Sequence, residues 1–114
     1  MIDANKMELA KQVYGTLCEA IERREWKFGK DEEKLLVHFG VRGDDIPMNF
    51  ILVVDAERQL VRLMSPLPFK MCEAKRMEGA IATCAATYGM ADGSFDYDLS
   101  DGEIVFRMTA SFRE

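Results

Sequence analysis

The chain predicts an α+β fold in a single domain, residues 1–114. The expected form is an antiparallel β-sheet with helices packed on one face, in the order α-β-β-β-β-α-β-β. Three observations lead there. Apolar residues recur at helical spacing in two segments, about Asn5–Arg24 and Lys70–Tyr88. The segments between them alternate apolar and polar residues at the period of strands. The stretch Asp92–Met108 after them divides into two alternating runs around Asp101-Gly102, the pattern of a hairpin.

In the first helix Met7, Ala10, Val13, Tyr14, Leu17 and Ile21 form one apolar stripe. Asn5 followed by Glu8 fits a capping box at its start. Trp26-Lys27-Phe28 reads as a short edge strand, and Gly29–Glu32 as the turn after it. Lys34–Val41 is a better strand, with Leu35, Val37, Phe39 and Val41 on one face and Leu36 and His38 on the other. A loop follows over Arg42–Pro47 with Gly43 and two aspartates. Met48–Val54 is apolar at nearly every position, as in a central strand buried on both faces. Asp55–Arg58 is a turn, and Gln59–Met64 returns beside it.

Ser65-Pro66-Leu67-Pro68 predicts an end to that strand, because proline offers no amide hydrogen. In the second helix Ala74, Met77, Ile81, Cys84, Ala85 and Tyr88 make the expected core-facing stripe. Gly79, Ala82 and Ala86 make a second stripe of small residues. It serves either tight packing on the sheet or a homodimer contact. Gly89 is placed for a left-handed cap. In the hairpin, Asp101-Gly102 as a two-residue turn pairs Leu99 with Ile104, Tyr97 with Phe106 and Phe95 with Met108 on the inner face. Asp96 then opposes Arg107 on the outer one.

With 48% hydrophobic and 31% charged residues the composition is globular. The net charge of −5 argues against a nucleic-acid surface, which would gather Lys and Arg. No apolar run approaches the roughly 20 residues of a membrane span, and the first residues do not form a signal segment. Three cysteines, Cys18, Cys72 and Cys84, without a CxxC pair, fit the reducing cytoplasm.

No motif for catalysis stands out, and neither a metal nor a cofactor is expected. His38 is the only histidine and has no partner constellation, so a structural role outweighs a catalytic one. Asp92, Asp96, Asp98, Asp101 and Glu103 do not make a calcium loop. One beginning at Asp96 would need glycine where Asp101 stands and glutamate where Arg107 stands.

From Val53 the order is a strand pair with an acidic turn (VVDAERQLVRLMS), a proline, a long helix, and an acidic strand with a D-G hairpin (GSFDYDLSDGEIVFR). This layout resembles the YbjN-like family of bacterial proteins, associated with regulation of sensory transduction. The first helix and the strand Leu35–Val41 fit the same layout. The resemblance implies a fold similar to that of class I type III secretion chaperones, small acidic proteins that are often dimeric and bind other proteins. Two departures limit the transfer. Family members commonly carry asparagine late in the second helix, where this chain has Thr83–Thr87. Related folds also tend to add a helix after the last strand, whereas Phe112-Arg113-Glu114 ends this sequence. Part of the sheet is then expected to stand uncovered or to be filled by a second subunit.

The function expected is a non-catalytic protein-binding module, chaperone-like or regulatory, forming a homodimer and binding an unidentified protein. Its candidate contact residues are Leu36, His38, Asn49, Ile51 and Val53 on the second face of the sheet, with Gly79, Ala82 and Ala86 on the second helix. Ordinary core packing is the competing account of each. The alternative function is a small enzyme or ligand-binding protein whose site is assembled from unremarkable polar residues.

Overall fold

The computed structural model describes residues 3–42 and 46–113. The predicted loop residues Gly43, Asp44 and Asp45 lie outside these. The elements are α1 (Ala4–Arg23), β1 (Phe28–Asp31), β2 (Leu36–Arg42), β3 (Pro47–Asp55), β4 (Leu60–Lys70), a 3-10 turn at Glu73–Lys75, α2 (Arg76–Tyr88), β5 (Gly93–Tyr97) and β6 (Glu103–Ser111). The strands form one six-stranded sheet in the order β1-β2-β3-β4-β6-β5, antiparallel throughout. The predicted α+β class and element order are those observed.

Register fixes the two faces of the sheet, because residues directly opposite share a side. One row runs Val37, Leu52, Leu63, Met108, Gly93. Both helices lie on this side. α1 packs Ala10, Tyr14, Cys18 and Ile21 against Val37 and Val54, with Phe39 and Leu52 beside them. The Tyr14 hydroxyl donates to the Leu36 carbonyl at 2.9 Å. α2 sits over β5, where the Tyr97 hydroxyl donates to the Arg76 carbonyl at 2.8 Å. The opposite row runs Gly29, His38, Ile51, Met64, Arg107, Ser94 across all six strands. No described helix covers it.

Local details depart from the sequence reading, each for a physical reason. The cap of α1 is Asp3, whose carboxylate accepts the Asn5 amide at 2.8 Å, rather than Asn5 itself. The helix ends in a Schellman closure, with Trp26 N–H to the Ile21 carbonyl at 3.4 Å and Glu25 left-handed at φ 59°. β1 begins two residues later than predicted, at Phe28, and takes in the supposed turn residues Gly29, Lys30 and Asp31.

β4 does not stop at Pro66 and Pro68. The β3–β4 ladder ends at Ile51 and Met64, so beyond that point β4 is paired with β6 alone. Proline is tolerated on such an edge, and a register shift between Pro66 and Lys70 absorbs the irregularity. Where the strands part, the Ser65 hydroxyl bonds the Asn49 carbonyl at 2.8 Å. Gly89 has φ −87° and is not a left-handed cap.

The last hairpin is offset from the predicted register by two residues: Phe95 faces Phe106 and Tyr97 faces Ile104. The loop is Leu99–Gly102, closed by the Asp98 amide on the Glu103 carbonyl at 2.9 Å. A shift of two keeps every side chain on its predicted face, with one exception. Leu99, expected inside, stands exposed at the tip. Arg107 still pairs with Asp96, now diagonally.

The β1–β2, β3–β4 and β5–β6 connections share one design. Each begins with an aspartate whose carboxylate accepts a backbone amide inside the loop: Asp31 from Lys34 at 3.2 Å, Asp55 from Arg58 at 2.9 Å, Asp98 from Ser100 at 2.9 Å. Each closes on a left-handed residue, Leu35 (φ 53°), Gln59 (φ 57°) and Gly102 (φ 78°). The carbonyl of that residue turns outward to a neighbouring segment. Leu35 accepts from Val54 at 3.0 Å, Gln59 from Phe112 at 3.0 Å, and Gly102 from Met71 at 2.9 Å.

The molecule is a broad plate of 49 × 32 × 24 Å. Its radius of gyration is 16.2 Å, against about 13 Å for a compact chain of this length. It leaves 8236 Å² accessible, against roughly 6,300 Å² for a compact monomer of 13.0 kDa.

Candidate interaction surfaces

Strand parity places Leu36, His38, Asn49, Ile51 and Val53 together on the uncovered face, on β2 and β3. Leu36, Ile51 and Val53 are half-buried among their neighbours, while His38 and Asn49 are exposed. The His38 ring lies flat over Gly29; a Cβ there would meet its Nε2 at 2.4 Å. Glycine at 29 is therefore what lets the imidazole lie down on the sheet. A shallow depression of about 560 Å³ opens where β3 and β4 part, bounded by His38, Asn49, Ile51 and Pro66. Its chemistry is apolar with a polar edge. Among the described residues His38 forms no ion pair with a carboxylate that would orient it as a catalytic base.

The expectation for α2 is overturned. Met77, Ile81 and Tyr88 are 65%, 67% and 93% exposed, and Ala74, Cys84 and Ala85 are exposed with them. The residues facing the sheet are Gly79, Thr83 and Thr87. Steric fit decides this orientation. β5 and β6 present Phe95, Tyr97, Ile104 and Phe106 to the helix side, so the helix must offer small groups in return. A Cβ on Gly79 would stand 2.6 Å from the Tyr97 hydroxyl and 2.7 Å from Met71. Thr87 anchors the other end, accepting the Phe95 amide at 2.9 Å. Gly79 is thus buried in the packing of α2 on its own sheet, while Ala82 and Ala86 are exposed. The helix is uncharged from Gly79 to its end at Tyr88, so hydropathy alone does not orient it. The large side chains on β5 and β6 were the available signal.

A third feature lies between α1 and the β1–β2 loop. It is a cavity of about 760 Å³ with Tyr14, Cys18 and Leu35 in its floor and Lys11, Glu19, Glu22, Lys30, Glu32 and Glu33 around its mouth. Lys30 pairs with Glu32 at 3.1 Å, and that hydrogen bond raises the lysine pKa. Burial, with Cys18 adding to it, pushes the Tyr14 phenol up to about 12. Tyr14 therefore stays protonated and acts as a structural donor.

Among the described residues no three His, Cys, Asp or Glu side chains gather as a metal site, and no helix is long and apolar enough to cross a membrane. Cys18, Cys72 and Cys84 are free thiols. Compared with known proteins, the chain matches no family model and no curated sequence.

Proposed function

We propose that the protein is a non-catalytic protein-binding module, chaperone-like or regulatory, that acts in the cytoplasm as a homodimer and docks a second protein on the uncovered face of its sheet. The observation that carries this reading is that face. It is a six-strand row centred on Ile51 and Met64 with no described helix over it, in a chain that exposes far more surface than a compact monomer. The segment order that resembles the YbjN-like family supports the same reading.

Affinity capture from the native cell tests it, comparing the wild-type chain with Ile51→Asp. A polypeptide retained by the wild type and lost from a variant with unchanged circular dichroism is the expected result. Equal recovery on both baits counts against the sheet face.

One observation favours a second reading, a small-ligand-binding protein or enzyme. The cavity beside α1 is of a size that suits a small molecule. Gly15 lines it with open space above its Cα. A metabolite that raises the melting temperature of the wild type, but not of Gly15→Phe, would support that reading.

A further inference from the structure

We propose that the cavity beside α1 binds a small organic cation, an amine carried on an apolar body. This rests on the ligand-binding reading above and names the class of ligand.

Gly15 is the first argument. It stands inside the 20-residue helix α1, where glycine is a weaker helix former than alanine. A left-handed backbone or the close approach of another segment would call for glycine there. Neither applies. Among the described glycines only Gly102 has positive φ, and a Cβ on Gly15 would meet nothing within 4 Å. At Gly79 the same atom would stand 2.6 Å from the Tyr97 hydroxyl, so that glycine serves the protein's own packing. Gly15 instead holds open the wall of a cavity of about 760 Å³.

The floor sets what the ligand must offer. Met7, Lys11, Tyr14, Cys18 and Glu22 recur at helical spacing, so one side of α1 lines the cavity over about 22 Å of its length. Tyr14, Cys18 and Leu35 are each only 7% exposed, an apolar base for an apolar body. The Tyr14 hydroxyl donates its proton to the Leu36 carbonyl at 2.9 Å, so toward a ligand it acts as an acceptor. It calls for a donor, which an ammonium group is.

The mouth sets the sign of charge. Four glutamates, Glu19, Glu22, Glu32 and Glu33, stand there against Lys11 and Lys30. Lys30 is engaged by Glu32 at 3.1 Å. Glu19, Glu22 and Glu33 enter none of the ion pairs among the described residues. Glu19 and Glu22 also lie toward the C-terminal end of α1, the negative end of its dipole, while Lys11 lies on the N-terminal side of Gly15. The ammonium group therefore belongs beside Glu19 and Glu22, with the apolar body over Gly15 and Leu35. An anion would meet the carboxylates instead. A bare metal ion would leave the apolar floor unused, and no three ligating side chains gather among the described residues.

Titration calorimetry of the full chain at neutral pH tests the assignment. The probes are phenethylamine, a cation at that pH, and phenylpropionate, an anion of similar size. The expected result is saturable binding of the amine and none of the acid. Gly15→Phe should abolish binding, and Glu19→Gln with Glu22→Gln should weaken it about threefold or more, both with unchanged circular dichroism. Phenylpropionate bound as tightly as the amine overturns the cation and leaves the cavity standing as a ligand site. Amine binding that persists in a folded Gly15→Phe, or that is unchanged in the double glutamine variant, overturns the location. Failure of both probes to bind at millimolar concentration overturns the cation together with the ligand-binding reading.

Discussion

Asp55 shows how much a single side chain carries here. Its carboxylate accepts the Arg58 amide at 2.9 Å and pairs with Arg62 at 2.5 Å, with little exposure. The Arg58 amide first, then Arg62, hold its pKa below the ordinary value of 3.8. A depressed acid contributes stability above its unfolded pKa and loses it as pH falls through the folded one. Asp55→Ala is therefore expected to cost about 1–2 kcal/mol at neutral pH. Urea unfolding should show that penalty shrinking below pH ~4, as the wild-type carboxyl protonates. A penalty equal at pH 7 and pH 3 would contradict the electrostatic origin. Gly102 is the second residue with no slack. A Cβ there would stand 2.2 Å from the Met71 carbonyl oxygen, on a backbone already at φ 78°. Gly102→Ala should lower stability by more than about 2 kcal/mol, read from the midpoint of denaturation.

At the scale of elements, strand faces were legible in the sequence and loop geometry was not. Side-chain parity survives a two-residue error of register, so Phe95, Tyr97, Ile104 and Phe106 were placed on the correct face by alternation alone. Asp101-Gly102 promised a two-residue turn, but the Asp98 carboxylate and the left-handed Gly102 favour the longer loop. The same loop at β3–β4 closes on Gln59, a residue with a Cβ at φ 57°. The left-handed conformation costs an ordinary residue about 1–2 kcal/mol, partly offset by the extra freedom of glycine in the unfolded chain. Gln59→Gly is thus expected to stabilise by about 0.5–1 kcal/mol, seen as a later urea midpoint with an unchanged slope. The orientation of α2 was the other illegible element. Beyond its first turn the helix carries no charge and so has no wet side written into it, and the bulk of Tyr97 and Met71 selects the face with Gly79.

For the whole molecule, the layered order was readable because two helical segments and six strand segments follow one another without long interruptions. What could not be read was how little of the sheet the helices cover. α1 takes the β2–β3 half, α2 takes the β5 edge, and one entire face has no described element over it. A plate with so much surface gains stability by mass action when copies associate. The wild-type melting temperature should therefore rise by several degrees between low and high micromolar concentration. Scanning calorimetry at two concentrations checks this, and a concentration-independent melting temperature would contradict association.

The three left-handed loop residues have a consequence for engineering. Hairpin tips are the usual places to splice in a tag or open a chain for permutation. In this protein the tips act as seams, since the carbonyls of Leu35, Gln59 and Gly102 each hold the amide of a neighbouring segment. A peptide inserted beside any of them would unfasten two segments at once. The exposed connection at Gly89–Asp92 between α2 and β5 has no such stitch, and it is the place where a graft should be carried without loosening the sheet.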